Sequence, residues 1–277
     1  MDLEFFEKVP SWEWPEGAGE FFLEVLQDDQ AGESDRILAA ELAGDFTVIN
    51  NELADELLSI VQSGDESDAL RASASIALGP VLEYAYVDGF EEPVEVPITE
   101  GRYHQIQESL RGLYMDAAVP TLVRRRILEA SVRSPREWHR NAIRAAYASD
   151  DEDLRLTAVF CMCYVRGFEE QILESLESEN PDIHYQAVRA AGDWQLDAAW
   201  PHVASLVASE EPDKFLLPAA IDAVTNIRPR EAGVTLVHLT DSDDEDIVEA
   251  AYYAMVMVEE LYEDGDLDED EDDGFVH

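Results

Sequence analysis

Residues 149–167 read SDDEDLRLTAVFCMCYVRG, in which acids crowd the start and a mostly apolar run of helical length follows. The same pattern of a polar start, an apolar anchor and an apolar helical run recurs, and Leu154 is the anchor of the quoted copy. The other anchors are Ile37, Leu70, Val123, Ile183, Phe215 and Ile247. Successive anchors are 33, 53, 31, 29, 32 and 32 residues apart. Because most spacings are close to one period, the sequence predicts a repeat protein.

Small residues occupy one face of each anchor segment. Positions four and seven after the anchor are mostly alanine, position eight is alanine, leucine or methionine in five copies, and these offsets lie on one face of an α-helix. The alanines at offset four are Ala74, Ala158, Ala187, Ala219 and Ala251. The first copy departs from the pattern, because Glu41 and Gly44 stand at its small-residue positions. Elsewhere the small face is predicted to let a neighbouring helix approach closely.

A second amphipathic segment separates each anchor segment from the next, and the seventh copy lacks one. These segments cover roughly residues 46–62, 103–115, 136–147, 168–177, 197–208 and 230–240. The repeating unit is therefore predicted to be a helical hairpin of about 30 residues. The acids at the starts of the anchor segments are expected to cap helix N-termini rather than to form catalytic pairs, because free backbone N–H groups attract them there.

The stretch at residues 68–79, DALRASASIALG, combines an acid, an apolar-Arg pair, spaced alanines and Leu-Gly. Residues 152–162 and 180–192 carry the same features in part. This pattern resembles the HEAT repeat, specifically the short variety named after phycobilisome lyases, over about residues 35–261. The resemblance implies an all-α, armadillo-like fold, a right-handed α-solenoid of about six to seven HEAT-like helical hairpins. It implies little about activity, because the family ranges from passive scaffolds to lyase subunits.

Two terminal segments flank the predicted solenoid at residues 35–261. Residues 1–34 are rich in aromatic side chains and are expected to cap the exposed core at the N-terminal end, in preference to forming a ligand cage. Residues 262–277 are dominated by acids and are predicted to be a disordered tail, because such a segment buries little apolar surface.

The 53-residue spacing indicates an insertion near residues 83–101. Pro93 and Pro97 within it exclude regular helix and favour extended chain. Two roles for the insertion stay open, a contact site for a partner and a closed structural loop.

The charge balance is extreme, since 63 acids against 18 Lys and Arg give a net charge of −45. Such a field repels nucleic acid and anionic membranes, so neither is an expected partner. Two causes of the acidity stay open, a cytoplasm with high salt and a basic protein partner. The N-terminal region lacks a basic secretory signal, and the longest apolar run, residues 250–258, is too short to span a bilayer. A cytoplasmic protein is therefore predicted.

The sequence contains no recognisable catalytic constellation. Cys161 and Cys163 are too few for a disulfide framework or a zinc cluster, and Cys161 is expected in the core. HEAT-like hydroxylases similar to the deoxyhypusine enzyme hold a di-iron centre with His-Glu pairs, and none of the six histidines here is followed by glutamate. We therefore expect no catalytic residue, no metal and no cofactor, and predict that the protein is not an enzyme.

Arginine is concentrated in residues 102–149, which hold nine Arg against four acids in an otherwise strongly acidic chain. Positions 136, 140 and 144 step by four and share one helix face. The candidate binding residues are Arg111, Arg124, Arg133, Arg136, Arg140 and Arg144. Because guanidinium groups bind carboxylates bidentately, we hypothesise that these residues bind an acidic segment of a partner, with the chain's own tail as a competitor.

The alternative for this arginine stripe is lateral pairing with the acids of the next second segment. Those acids are Glu169, Glu170, Glu174 and Glu177. Charged faces of adjacent helices commonly satisfy each other in this way.

The predicted function is that of a non-enzymatic scaffold or adaptor that binds an unidentified protein through the solenoid surface. The alternative is an accessory subunit of a bilin-lyase-like or other modifying enzyme. Co-purification with a small chromophore or cofactor would favour the alternative.

Overall fold

The computed structural model describes residues 2–90, 96–209 and 213–263, with side chains described as far as Val258. Secondary structure in these residues consists of α-helices and short 3₁₀ helices, without a strand. The chain forms two compact units, Met1–Val165 and Arg166–His277. The prediction of an all-α fold is confirmed for the described residues.

The first unit is a succession of helices joined by short connections. Its α-helices are α1 (Leu3–Lys8), α2 (Ala18–Gln27), α3 (Glu33–Ala43), α4 (Asn51–Gln62), α5 (Asp68–Ala77), α6 (Gly79–Asp88), α7 (Glu100–Met115), α8 (Thr121–Ser131), α9 (Glu137–Tyr147) and α10 (Glu152–Met162). A 3₁₀ helix at Ser11–Glu13 lies between α1 and α2.

The second unit continues the alternation of anchor helices and second helices. Its α-helices are α11 (Glu169–Ser175), α12 (Pro181–Asp193), α13 (Trp200–Val207), α14 (Leu217–Ile227), α15 (Pro229–Leu236) and α16 (Glu245–Glu263). Two 3₁₀ helices, Asp197–Ala199 and Val237–Asp241, extend α13 and α15. The seven anchor segments and the six second segments predicted from the sequence are thus helical, which confirms the hairpin prediction.

Each second helix packs against the anchor helix that follows it in the chain, and α15 packs about as closely on α14, which precedes it. The packed pairs are α2 with α3, α4 with α5, α7 with α8, α9 with α10, α11 with α12, α13 with α14, and α15 with α16. Anchor helices also stack on each other, in the order α3, α5, α8 and α10 in the first unit and α12, α14 and α16 in the second. With this pairing, α15 is the second helix that precedes α16. The chain after Glu263, where the seventh copy would carry a second helix of its own, lies outside the described residues.

A recurring arginine joins the two helices of a hairpin. Arg71 Nε in α5 donates to the Val61 carbonyl oxygen in the last turn of α4, at 3.1 Å. Arg36 makes the same contact with Leu26, and Arg124 makes it with Tyr114. Carbonyl groups in the last turn of a helix lack intrahelical partners and carry partial negative charge, so a cation there is stabilising. This contact explains the apolar-Arg pair of the repeat motif.

The equivalence of these arginines corrects the register of the first copy. Arg36 is structurally equivalent to Arg71, which directly follows the anchor of the second copy. The anchor position of the first copy is therefore residue 35, two residues before Ile37. Gly44 then corresponds to Gly79, and the exposed Glu41 leaves the small face. The buried small residues of α3 are Ala39, Ala40 and Ala43.

A second correction concerns Phe215, the anchor assigned to the sixth copy. Phe215 lies in the turn before α14, with 55% of its surface exposed, and the centre of its ring lies 4.9 Å from that of the tilted Tyr185 ring. Leu216 and Leu217 are buried in its place. Residues 215–217 are all large and apolar, so the sequence pattern alone did not show which of them are buried.

The predicted helix caps form at the starts of α5, α10 and α12, whereas α3 and α14 begin without a side-chain cap. The Ser67 side chain accepts from the backbone N–H of Leu70 at the start of α5. Asp151 and Asn180 accept from two N–H groups each at the starts of α10 and α12. The acid that opens the repeat at residue 151 is therefore a structural cap, as predicted.

The predicted small face is buried between anchor helices. The five alanines at offset four are at most 4% exposed, and Cys161 is completely buried. Burial raises the pKa of the Cys161 thiol well above its ordinary value, as the core assignment predicts. At Gly192 in α12 an added Cβ would lie only 2.9 Å from Ala223 Cα in α14. Close approach of backbones thus depends on small residues.

The N-terminal aromatic residues form a compact cluster. Phe6 and Phe22 are buried and pack edge to face at 4.8 Å. Trp14 packs on both rings, and its indole N–H donates to the Val9 carbonyl oxygen at 2.9 Å. Trp12 stays outside the cluster and is 80% exposed. The cluster belongs to α1 and α2, which pack against α3.

The insertion near residues 83–101 begins as helix, because α6 extends to Asp88. Residues 91–95, with Pro93, lie outside the described residues. Where the chain resumes, Ile98 is buried, and the Thr99 backbone N–H donates to Asn51 Oδ1 at 3.0 Å. The end of the insertion is therefore attached to α4. The predicted tail starts within α16, and residues 264–277 lie outside the described residues.

We expect that replacing Ala223 by leucine lowers the free energy of unfolding by about 2 kcal/mol, because three added carbons must fit between α12 and α14. Urea unfolding followed by circular dichroism measures the change. The matched control is Ala145→Leu, at an exposed position of α9. Equal stability of the two variants would contradict the close packing of the anchor helices.

Candidate functional site

Helix α9 presents the arginine stripe on its exposed side. Ala142, Ile143 and Ala146 form its buried face. Arg140 and Arg144 lie on the opposite, exposed face, and Arg144 Nη1 donates to Asn141 Oδ1 at 3.3 Å. Arg136 precedes the first turn as the N-cap residue and is also exposed. The spacing of four therefore places these three guanidinium groups on one side of the helix.

A cavity of about 330 Å³ lies between α7 and α9, and we call it the Arg groove. Its lining residues are Gln107, Glu108, Arg111, Arg136, Glu137, Trp138 and Asn141. Arg111 Nη1 lies 3.5 Å from Glu108 Oε2, and Arg136 Nη2 lies 3.9 Å from Glu108 Oε1. One carboxylate thus lies between guanidinium groups from two helices.

Four of the six predicted site residues do not line this groove, and two of these four, Arg124 and Arg133, make contacts elsewhere. Arg124 donates to the Tyr114 carbonyl oxygen at 2.7 Å, so it is one of the hairpin arginines. Arg133 pairs with Glu83 at 2.7 Å and lies over the rings of Phe160 and Tyr164. The structure therefore gathers Arg111 and Arg136 in the groove, with Arg140 and Arg144 on the same helix as Arg136.

The positive excess of residues 102–149 is largely offset by acids from other parts of the chain. Arg102 pairs with Asp55, and Arg125 pairs with Asp153. Arg126 pairs with Glu129 inside the same helix. In the sequence these arginines form a positively charged cluster. In the folded chain, carboxylates from distant positions neutralise several of them.

His139 anchors the start of α9, and the sequence reasoning missed it. Its Nδ1 atom accepts from the backbone N–H of Arg136 at 2.9 Å, and its Nε2 atom lies 3.0 Å from Ser131 Oγ of α8. Because the imidazole is buried, its pKa is lowered to about 4. The signal in the sequence was its third position in the helix, where a capping-box side chain is expected.

A second buried network holds the other wall of the groove. Tyr103 Oη lies 2.6 Å from Ser134 Oγ, and Gln107 Nε2 donates to Tyr103 Oη at 2.9 Å. Tyr103 and Gln107 belong to α7, while Ser134 lies in the connection between α8 and α9. Buried polar networks with their hydrogen bonds satisfied make local structure rigid, so both walls of the Arg groove are held in place.

The second unit contains a histidine pair of a different kind. His184 Nε2 lies 2.8 Å from His202 Nε2, and His202 Nδ1 lies 3.4 Å from Glu177 Oε1. Burial, together with repulsion from His202, lowers the pKa of His184. Across residues 2–90, 96–209 and 213–263, no cluster of three or more His, Cys, Asp or Glu side chains is arranged to bind a metal ion. Searched over the same residues, no helix combines the length and apolarity needed to cross a membrane.

No family model and no curated protein sequence matches the chain. Among solved structures, YibA of Escherichia coli is 14% identical with a TM-score of 0.48, over 92% of this chain and 95% of that chain. The complex of CpcE and CpcF of phycocyanin lyase from Nostoc is 16% identical with a TM-score of 0.45, over 91% and 98%. Human deoxyhypusine hydroxylase in complex with glycerol is 16% identical with a TM-score of 0.40, over 93% and 88%.

These structures are what the chain is similar to in fold.

Proposed function

We propose that the protein is a non-enzymatic scaffold that binds a partner protein by accepting an acidic segment of that partner into the Arg groove. The observation that carries the proposal is the convergence of Arg111 and Arg136, from two helices, on a single carboxylate in an open cavity. Glu108, which lies between them, occupies the position that a carboxylate of the partner would take.

The ion pairs of Glu108 with Arg111 and Arg136 are weak enough for a ligand carboxylate to replace Glu108. Both involve side chains that are about half exposed, and their distances of 3.5 and 3.9 Å are long for a charge-assisted hydrogen bond. Exposed ion pairs of this kind contribute about 0 to 1 kcal/mol, so a ligand carboxylate with shorter, bidentate contacts competes effectively.

The groove also offers an aromatic surface on a rigid support. The Trp138 ring lies 5.1 Å from the Tyr114 ring and stacks on His139 at 3.8 Å. Trp and Arg are the residue types most enriched at the energetic centres of protein interfaces. A peptide with acids beside an apolar side chain would engage both.

The test uses the chain's own residues 259–273 as a fluorescent peptide and a protein truncated after Glu263. The site variant carries Arg111→Gln, Arg136→Gln and Arg140→Gln. We expect it to bind the peptide more than tenfold more weakly, because losing even one charge-assisted contact costs about 1.5 to 3 kcal/mol and a factor of ten is about 1.4 kcal/mol. Fluorescence anisotropy at constant salt measures the dissociation constants.

The matched control removes three positive charges elsewhere, through Arg155→Gln, Arg189→Gln and Lys214→Gln. If both variants weaken binding equally, the effect is one of net charge and the groove is not the site. If the truncated native protein does not bind the peptide at all, the proposal fails. Purified protein that carries a bound chromophore would instead support the accessory-subunit alternative.

A further inference from the structure

Helix α16 is apolar on two faces. Ala251, Ala254 and Val258 form one face, are buried, and pack towards α14 and α15. A second face carries large apolar residues that stay in solvent. Their exposed fractions are 55% for Tyr252, 68% for Tyr253, 48% for Val256 and 43% for Met257. A helix that is apolar on more than one side is normally covered on each, so the second face indicates a binding surface.

Helix α16 is the last described anchor helix of the stack in the second unit. Within the second unit α14 packs on α12, and α16 packs on α14. The described chain provides no further anchor helix after α16. End repeats of solenoids normally present a polar outer face, and Tyr252, Tyr253 and Val256 depart from that rule.

The charges around the apolar face determine which partner fits it. A shallow groove of about 670 Å³ lies on this face, and Asp246 and Glu249 line it together with Tyr252, Tyr253 and Val256. A second copy of the chain would bring the same carboxylates against these, and the chain's own residues 264–277 are themselves acidic. Like charges placed together are unfavourable, whereas lysine or arginine beside apolar groups complements the groove.

We propose that the exposed face of α16 binds an amphipathic helix of a partner protein, with apolar residues on one side and basic residues along its edges. Tyr252, Tyr253 and Val256 stand at helical spacing, so the partner helix packs its apolar side along them as the next anchor helix of the stack would. This surface is separate from the Arg groove and takes a ligand of opposite charge, so it goes beyond the proposed function.

The test uses a synthetic 18-residue peptide of leucine and lysine arranged as an amphipathic helix. The comparison peptide has the same composition in scrambled order and forms no apolar face. We expect the native protein to bind the amphipathic peptide about tenfold more tightly than the scrambled one, as fits a buried aromatic contact. Isothermal titration calorimetry in 0.5 M KCl suppresses non-specific binding to the acidic surface.

The site variant is Tyr252→Ser with Val256→Ser, and the control is Tyr86→Ser with Val87→Ser, an exposed pair on α6. We expect the site variant to bind the amphipathic peptide about tenfold more weakly and the control variant to bind it unchanged. Circular dichroism verifies that both variants are folded, since all four side chains are exposed.

Equal binding of the two peptides, or unchanged binding by the site variant, would overturn the proposal. A native protein that is dimeric by analytical ultracentrifugation and becomes monomeric in the site variant would also overturn it, in favour of a second copy as the occupant. The Arg groove variant is expected to bind the amphipathic peptide normally, so failure of one site is distinguishable from failure of the other.

Discussion

Replacing Gly44 by alanine is expected to lower the free energy of unfolding by about 3 kcal/mol, the upper end of the usual cost of overpacking. A Cβ at this position would lie 2.5 Å from the carbonyl oxygen and 2.7 Å from the Cα of Ala77 in α5. Both atoms belong to the backbone, so no side-chain rotation relieves the contact. Helix α3 must instead move away from α5, which opens the packed interface between them.

The control for this prediction is a glycine with free space around it. Gly112 lies inside α7, and an added Cβ there meets no atom within 4 Å. Gly112→Ala is expected to raise stability by about 0.5 to 1 kcal/mol, because alanine is the better helix former. Urea unfolding of both variants measures the two changes. If Gly44→Ala is neutral or stabilising like the control, α3 and α5 do not approach as closely as the structure shows.

The native protein is expected to lose about 3 kcal/mol of stability through His139 as the pH falls from 7.5 to 4. In the folded state the pKa of His139 is about 4, against an ordinary value of 6.5. Between pH 6.5 and 4, His139 is therefore protonated in the unfolded chain but neutral in the folded protein. The stabilisation is complete above the unfolded pKa and is lost as the pH falls towards the folded one.

The variant His139→Gln isolates this effect. Glutamine at the third position of a helix still accepts from the N-cap N–H but does not titrate. Between pH 7.5 and 5.0 the native protein is expected to lose about 2 kcal/mol more than the variant, as the two pKa values require. Subtracting the variant removes the contributions of the many carboxylates, and pH 5.0 keeps the chain above its isoelectric point. Parallel pH profiles would mean that His139 is not held neutral.

The repeat pattern predicted the helices well because helix formation and capping depend on neighbours in the sequence. Ser67, Asp151 and Asn180 bond to backbone groups two or three residues away, and the sequence shows all of these partners together. Which helices pack together was harder to predict from the sequence. Each second helix has an anchor helix on either side of it in the chain, and only the contacts of Arg36, Arg71 and Arg124 show which one it joins.

The arginine stripe illustrates the same limit in a functional site. The spacing of Arg136, Arg140 and Arg144 on one exposed face was predictable from helical periodicity. That Arg111 of another helix joins Arg136, while Arg133 pairs with Glu83, follows from contacts between residues tens of positions apart. Whether the groove binds a partner, and whether residues 1–34 act as an end cap, stay predictions.

The sequence by itself determined that this protein is an all-α repeat of helical hairpins with small residues between its anchor helices. Those properties follow from periodicity, helix propensity and caps, which act over a few residues. Only the tertiary structure decided which arginines line the Arg groove, that His139 is buried with a lowered pKa, and that α16 has a second apolar face that is exposed. Each of these depends on which distant side chains meet after folding, because burial and ion pairing are properties of the packed chain.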